Sequence, residues 1–320
     1  MTVDPQTLHT PNEVSLCMDR PAHQIVLSIL VPTYRDDIEP LITALCACKG
    51  AEQTHLIVFD DGSGDDARIE MIEALISEFP GRSELIASQT NLGRAEARNC
   101  LLEAATTDWV VLLDADMVPN DRDFLAQYIK LTDTLGRPTL VCGGSSTLQV
   151  AKSAATALHL AQSEVSECLD AAIRSKDPGR YVFTSNILVH RTIFTRVTLD
   201  PGYVGWGWED VDWGLSILHH FPILHINNTA SHLGLLTDKG ILEKYQASGA
   251  NFARLAHRHP DRVADMPLYR AARLLKFAGV FRAPLIYAAR RLTESKAMPI
   301  RARLLSLKLF RALIYSRDIE

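Results

Sequence analysis

The sequence predicts an α/β protein: a mainly parallel sheet with helices on both faces, followed by a C-terminal helical extension. Three observations predict it. Apolar runs of strand length alternate with amphipathic stretches of helix length, the pattern of βαβ units. The strand-like runs are apolar throughout, as expected where helices cover both sides of a sheet. Three of them end in polar segments, Pro32-Thr33-Tyr34, Asp60-Asp61-Gly62 and Asp114-Ala115-Asp116. Ligands of such sheets bind beyond the carboxyl ends of the strands, so these segments are expected on one rim.

Taken in order, residues 1–24 show no periodicity and contain Pro5, Pro11 and Pro21, so a loose arm is expected there. "IVLSILV", from Ile25, is a strand ended by Pro32. Ile38, Leu41, Ile42 and Leu45 then recur with helical spacing. "HLIVF" is a second strand, and Asp65 or Asp66 caps a helix whose inner face is Ile69, Ile72, Leu75, Ile76 and Phe79. "ELIAS" is a third strand, "RAEARNCLLEAA" a helix of good formers, and "DWVVLL" a fourth strand. Beyond residue 120 come the helix "FLAQYIKLTDTLG", the strand "TLVC" and a helix over 151–173. Strand-like "YVFTSNILVHR" and "PILHINNTASH" flank a segment rich in tryptophan and acid.

The 320 residues are 47% hydrophobic and 22% charged, enough for one large domain or two small ones. No apolar run reaches the roughly 18 residues of a transmembrane helix. "MTVDPQTLHTPNEV" lacks the basic start and apolar core of a secretory signal. Six cysteines without paired spacing fit reduced thiols of a cytosolic protein. The net charge of −5 hides an asymmetry: Tyr269 to Glu320 carry 12 Lys and Arg against 3 Asp and Glu, and the first 268 residues carry 21 against 35. Charge of one sign on one segment usually reports on a partner.

The rim motifs each admit two readings. Asp114 and Asp116, two apart in an extended segment, would point the same way and suit a divalent cation with the phosphates it bridges, or they are a solvated strand end. Asp60 and Asp61 would accept a hydrogen bond from a nucleobase, or they make a turn. Arg94 and Arg98, after Gly93, would meet a nucleotide, or they are a solvated face. "GWGWEDVDWG", Gly205 to Gly214, is built like neither a core strand nor a core helix: glycine weakens both, and Glu209 and Asp210 cannot be buried without partners. It reads as a ligand-facing loop or helix entrance.

Taken in order, VPTY, DDGS, NLGRAEARN and LLDAD resemble the inverting nucleotide-sugar glycosyltransferases of the GT-A fold, the family of cellulose and chondroitin synthases. The stretch from Ser185 through "GWGWEDVDWG" resembles the acceptor half of the chondroitin-polymerase and β-1,4-galactosyltransferase type. The resemblance covers residues 25–235 and leaves out the arm and the tail. It implies a GT-A domain over 25–265, with a nucleotide-binding half at 25–120 and an acceptor-binding half at 121–265; the residues themselves suggest a basic helical tail over 266–320. It implies a cytoplasmic hexosyltransferase that moves a hexose or N-acetylhexosamine from a UDP-sugar to a glycan or lipid-linked glycan, with inversion. A nucleotidyltransferase or other nucleotide-sugar enzyme on a similar sheet, or a non-catalytic sugar-binding relative, is the alternative. No nucleic-acid partner is expected.

Carried over by position, Asp61 recognises the base with Asp60 in support. Pro32, Thr33 and Tyr34 line the nucleotide pocket, Arg98 assists near the base, and Asp114 sits near the ribose or metal. Asp116 binds Mn²⁺ or Mg²⁺, and His232 matches the place of a further metal ligand. Asp210 is the general base and Glu209 holds the acceptor. Trp206, Gly207 and Trp208 form the sugar platform, with indole N–H groups turned to hydroxyls. Two departures stand out: Trp208 occupies a position that is glycine in related "GWGGED" segments, and "TSNILVHR" is poor in glycine.

The tail interleaves basic residues with Leu, Phe and Ile, and Pro284 and Pro299 would divide it into short helices. It is expected either to cap the acidic body or to lie on anionic lipid at the inner face of the membrane, suiting a lipid-linked acceptor. On the second reading, removing residues 269–320 abolishes lipid binding.

Overall fold

The computed structural model describes residues 14–18 and 24–319, the first group as backbone only. Among them are strands β1 (Val14–Met18), β2 (Leu27–Thr33), β3 (Thr54–Asp60), β4 (Arg82–Ala87), β5 (Trp109–Leu113), β6 (Met117–Pro119), β7 (Leu140–Cys142), β8 (Ser145–Ser146), β9 (Asn186–His190), β10 (Ile223–His225) and β11 (Ala230–His232). Eight form one sheet in the order β1-β4-β3-β2-β5-β9-β7-β10. β4, β3, β2 and β5 are mutually parallel, as are β7 and β10, while β9 runs antiparallel between β5 and β7. This is the expected mainly parallel α/β architecture of the GT-A fold. A second sheet, β6-β11-β8, stands beside it.

The continuous apolar runs divide their residues between two faces. Leu27, Ile29 and Val31 of β2 join Leu56, Val58, Val111 and Leu113 in a core covered by helices α1 (Glu39–Cys46), α2 (Asp66–Ser77) and the later α4 (Phe124–Thr134). Leu30, Ile57, Phe59, Val110 and Leu112 face the other way, against helix α3 (Arg94–Ala104) and Trp213. Asp65 is the cap of α2, accepting from the Arg68 N–H at 3.3 Å. The predicted inner face of α2 is borne out, with Ile72, Ile76 and Phe79 buried and Ile69 and Leu75 packed beside them.

Several sequence expectations are corrected. Val14–Met18, assigned to a loose arm, pair antiparallel with β4. The alternation Val14-Ser15-Leu16-Cys17-Met18 was the signal, obscured by three prolines around it. The remainder of the arm lies outside the described residues, apart from Gln24. β2 does not stop at Pro32 but continues to Thr33. Its pairing with β5 ends at Leu30, so the proline is set where only β3 remains alongside. Residues 151–173 are not one helix: Ala157–Ser166 and Ala171–Arg174 are separate. In the tail, Pro284 lies within the first turn of the helix Arg282–Glu294, where its missing N–H is tolerated. The break falls earlier, at Gly279 with φ +52°.

The tail itself is part of the body. Leu307, Phe310, Leu313, Ile314 and Tyr315 of the last helix, Ile300–Tyr315, share a buried cluster with Val211, Leu215, Tyr245 and Phe252. Arg303 is buried against Asp238. The capping alternative therefore holds for this helix, and cutting the chain at residue 269 would open that core. Not all of the tail is covered. Leu274, Phe277, Val280 and Phe281, around the break, are 76%, 87%, 85% and 70% exposed.

Candidate active site

The carboxyl ends of β2, β3 and β5 open into a cavity of about 570 Å³, the size of a small-molecule site. Pro32, Thr33 and Tyr34 line it, as do Asp61, Arg98, Asp114, Asp116 and His232. Trp206, Gly207, Trp208, Glu209 and Asp210 line the same cavity, although about 90 residues separate them from the aspartate turn. Asp60 does not: it is buried, and the Ser63 N–H and hydroxyl donate to it at 2.9 and 2.5 Å. It holds the turn that presents Asp61.

Asp61 accepts from the backbone N–H groups of Leu92 and Gly93 at 2.6 and 3.0 Å. Burial raises its pKa and these two bonds work against that rise. Gly62 makes the approach possible: its φ is +70°, and a Cβ there would fall 2.2 Å from the Thr90 carbonyl carbon.

Asp114 and Asp116 are not side by side on an extended segment, as their spacing suggested. The Met117 N–H donates to the Asp114 carbonyl at 3.0 Å, closing a turn that sends the two carboxylates to different partners. Asp114 meets Arg98 at 2.8 Å and Arg94 at 3.5 Å. Arg98 is thus a buried partner of Asp114. Asp116 meets His232 Nε2 at 3.2 Å. The antiparallel register of β11 on β6, with His232 opposite Met117, sets this meeting. Gly234 leaves room for it, since a Cβ there would fall 2.0 Å from Asp116 Oδ2. Burial opposes charge on both members, yet their mutual attraction lowers the Asp116 pKa and raises that of His232. Among the described residues no group of three or more His, Cys, Asp and Glu converges as a metal site. Asp116 and His232 nonetheless fit a cation that takes its other ligands from a substrate's phosphates and water.

"GWGWED" forms the entrance to the helix Glu209–Ile217. Gly207 and Trp208 both have positive φ, +95° and +80°. Glycine adopts this conformation without strain; for tryptophan it costs on the order of 1–2 kcal/mol. Packing holds Trp208 there: Phe252 lies 4.8 Å from its ring, and its indole N–H donates to the Tyr315 hydroxyl at 3.1 Å. That N–H is consequently not directed at a ligand, contrary to the sequence expectation. Asn251 ties the loop by donating to the carbonyls of Val204 and Gly207, both at 3.1 Å.

Asp210 accepts from the Thr184 hydroxyl at 2.9 Å and its backbone N–H at 3.3 Å. Glu209 lies 3.9 Å from Arg94, and its second oxygen is buried with no hydrogen bond to the described residues. Burial raises its pKa, and the Asp210 charge adds to the rise. Among the lining or supporting residues that the sequence did not single out are His159, Thr184, Lys244, Tyr245 and Arg311. His159 accepts from the Leu236 N–H at 2.7 Å, and burial, with His232 beside it, pushes its pKa down to about 4.

The structure is thus a mainly parallel α/β sheet with an acidic cavity at its carboxyl edge. Residues 28–144 match the family described as glycosyl transferase family 2. An uncharacterized glycosyltransferase of Haemophilus influenzae is 35% identical over 100 residues, 30% of this chain and 39% of that protein. Chondroitin synthase of Escherichia coli is 34% identical over 110 residues, 32% of this chain and 15% of that protein. The matched segments are thus well under half the length of either relative. The mannosyltransferase PcManGT from Pyrobaculum calidifontis, solved with GDP-Man and Mn²⁺, is 18% identical with a TM-score of 0.55, covering 92% of this chain and 87% of that one, and shares the fold. The family match ends before "GWGWED", which rests on the geometry above.

In metal-free protein, an NMR titration should place the His232 pKa above the usual 6.5, and Asp116→Asn should lower it, because burial is then opposed only by the weaker attraction of Glu167 and Asp114. An unchanged pKa would mean that the two side chains do not meet in solution.

Proposed function

We propose that the chain is an inverting glycosyltransferase that passes a hexose or N-acetylhexosamine from a UDP-sugar to an acceptor hydroxyl. One observation carries this reading: a single cavity joins the rim of a glycosyl transferase family 2 domain to the Trp-Gly-Trp-Glu-Asp entrance of another helix. A nucleotidyltransferase has no use for that second wall, and a purely sugar-binding relative has no use for so many oriented acids.

Pro32, Thr33 and Tyr34 bound the nucleotide. Asp61 receives a base N–H, each of its oxygens keeping a lone pair beyond the backbone bonds. Asp116 and His232 would hold Mn²⁺ or Mg²⁺, which, when bound, offsets charge on the diphosphate. Trp206 and Gly207 seat the acceptor ring, and Glu209 positions it. The acceptor oxygen attacks the anomeric carbon from the face opposite the diphosphate. Its proton passes to Asp210, whose free lone pairs are aimed by Thr184, as the bond to the departing UDP breaks.

The acceptor is proposed to be a glycan or lipid-linked glycan met at the cytoplasmic face of a membrane. Support comes from the exposed apolar residues around Gly279, flanked by Arg270, Arg273 and Lys276, all of them exposed. No helix of the described residues is long and apolar enough to cross a membrane. Each basic residue near an anionic surface contributes about 1 kcal/mol.

A UDP-release assay across donors, with and without chelator, tests the chemistry. Asp210→Asn should lower kcat by about 10²–10⁴-fold while UDP-sugar affinity persists, and EDTA should abolish transfer until Mn²⁺ or Mg²⁺ is restored. Near wild-type turnover of Asp210→Asn would move the base elsewhere, and full activity under chelation would remove the cation.

Cosedimentation with phosphatidylglycerol vesicles tests the membrane contact. Binding should weaken with salt and be lost in Phe277→Glu/Phe281→Glu, a change on exposed side chains that leaves the core intact. Absence of binding at low salt would leave the apex without this role.

A further inference from the structure

On the acceptor wall, two cations that the chemistry above does not use lie against the aromatic rings. Arg311, from the last helix, lies over three rings: Tyr245 at 4.4 Å, Trp208 at 4.9 Å and Tyr315 at 5.3 Å. Its Nε donates to the Tyr315 hydroxyl at 3.2 Å, and no other hydrogen bond or ion pair joins its guanidinium to the described residues. Lys244 stands 5.2 Å from the centre of the Trp206 ring and likewise has no ion pair among the described residues. Both line the cavity.

Most of the other cations there are matched by carboxylates; Arg180, which lies 5.7 Å from the centre of the Tyr181 ring, is not matched among the described residues, and it stands apart from the indole rings that Arg311 and Lys244 cover. Arg94 and Arg98 answer Asp114 and Glu209, and His232 answers Asp116. Glu167 faces the same space, but its oxygen takes the Ser163 hydroxyl at 3.2 Å, and it is one carboxylate against two cations. Stacking on aromatic faces fixes the plane of a guanidinium while leaving its outer N–H edge for a ligand. A planar donor edge beside a sugar platform is the arrangement that recognises an anionic group bidentately.

Resting on the glycosyltransferase reading, we propose that Arg311, assisted by Lys244, forms an acceptor subsite for an anionic group, so that the preferred acceptor sugar bears a carboxylate or a phosphate. The tail helix then does more than close the core: it supplies a specificity residue to a cavity built by the body. Trp208 couples the two, because the ring that Arg311 covers is the residue immediately before Glu209 and Asp210.

The test is a binding titration by NMR on the full chain with methyl β-glucoside, methyl β-glucuronoside and methyl β-glucoside 6-phosphate. The charged glycosides should bind about tenfold to a hundredfold more tightly than the neutral one at low salt, the better of the two showing whether a carboxylate or a phosphate is read. Arg311→Met, which keeps the hydrocarbon stem against its rings, should erase most of that preference and leave UDP affinity unchanged. Arg311→Lys should retain part of it. Equal binding of all three glycosides, or an equal loss for neutral and charged ones in Arg311→Met, would overturn the proposal. A fall in UDP affinity in Lys244→Met matching its loss of charged glycosides would overturn the part assigned to Lys244. These readings need no turnover, so failure to transfer from any donor would remove the enzymatic reading and leave the anion preference to be judged separately.

Discussion

Carboxylates brought together inside a cavity cannot stay ionised without partners, and the molecule is arranged around that constraint. Asp61, Asp114 and Glu209 arrive from two strand ends and a distant helix entrance. The start of α3 answers all three. Its leading N–H groups, from Leu92 and Gly93, hold Asp61, and its first two turns place Arg94 and Arg98 against Asp114 and Glu209. The strand ends, the helix start and the Glu209 entrance are therefore not independent: moving one leaves a buried charge unanswered. The same logic pairs Asp116 with His232 through the small sheet and steadies Asp210 on Thr184.

A second constraint ties the C-terminal region to the site. Trp208 begins the Glu209–Ile217 helix in a left-handed backbone conformation that only packing can maintain. Phe252 and Tyr315 supply that packing, and Tyr315 belongs to the last helix. A glycine would meet the backbone requirement directly; here a tryptophan meets it at the expense of strain and gains contact with the tail. The charge asymmetry of the sequence thus has two physical sources: inward cations such as Arg303 and Arg311, and outward ones beside an exposed apolar apex.

The sheet was legible because its signal is redundant. β2, β3 and β5 are uninterrupted apolar runs, and the polar residues ending them could only lie at the carboxyl edge. That same argument placed Asp61, Asp114 and Asp116 at one rim, whereas the Glu209-Asp210 pair was joined to them only through the family resemblance. What escaped was anything fixed by a turn or a distant contact. The i, i+2 spacing of Asp114 and Asp116 holds for a strand, but a hydrogen-bonded turn separates them. No local pattern distinguishes Arg311 from the other basic residues of the tail, or Lys244 within an ordinary helix; only tertiary packing brings them to the indole faces. A sequence also carries no φ value, so Trp208 in a glycine position was visible as a departure and not as strain.

In the proposed mechanism, donor and acceptor meet in one cavity with Asp210 on the acceptor side, so that transfer is a single displacement. The anomeric configuration of the product reports on this most directly. A donor with an α-linked sugar should give a β-linked product, read from the ¹H coupling constant of the new anomeric proton by NMR. An α-linked product from the same donor would contradict the account, because one attack from the Asp210 side cannot preserve the configuration.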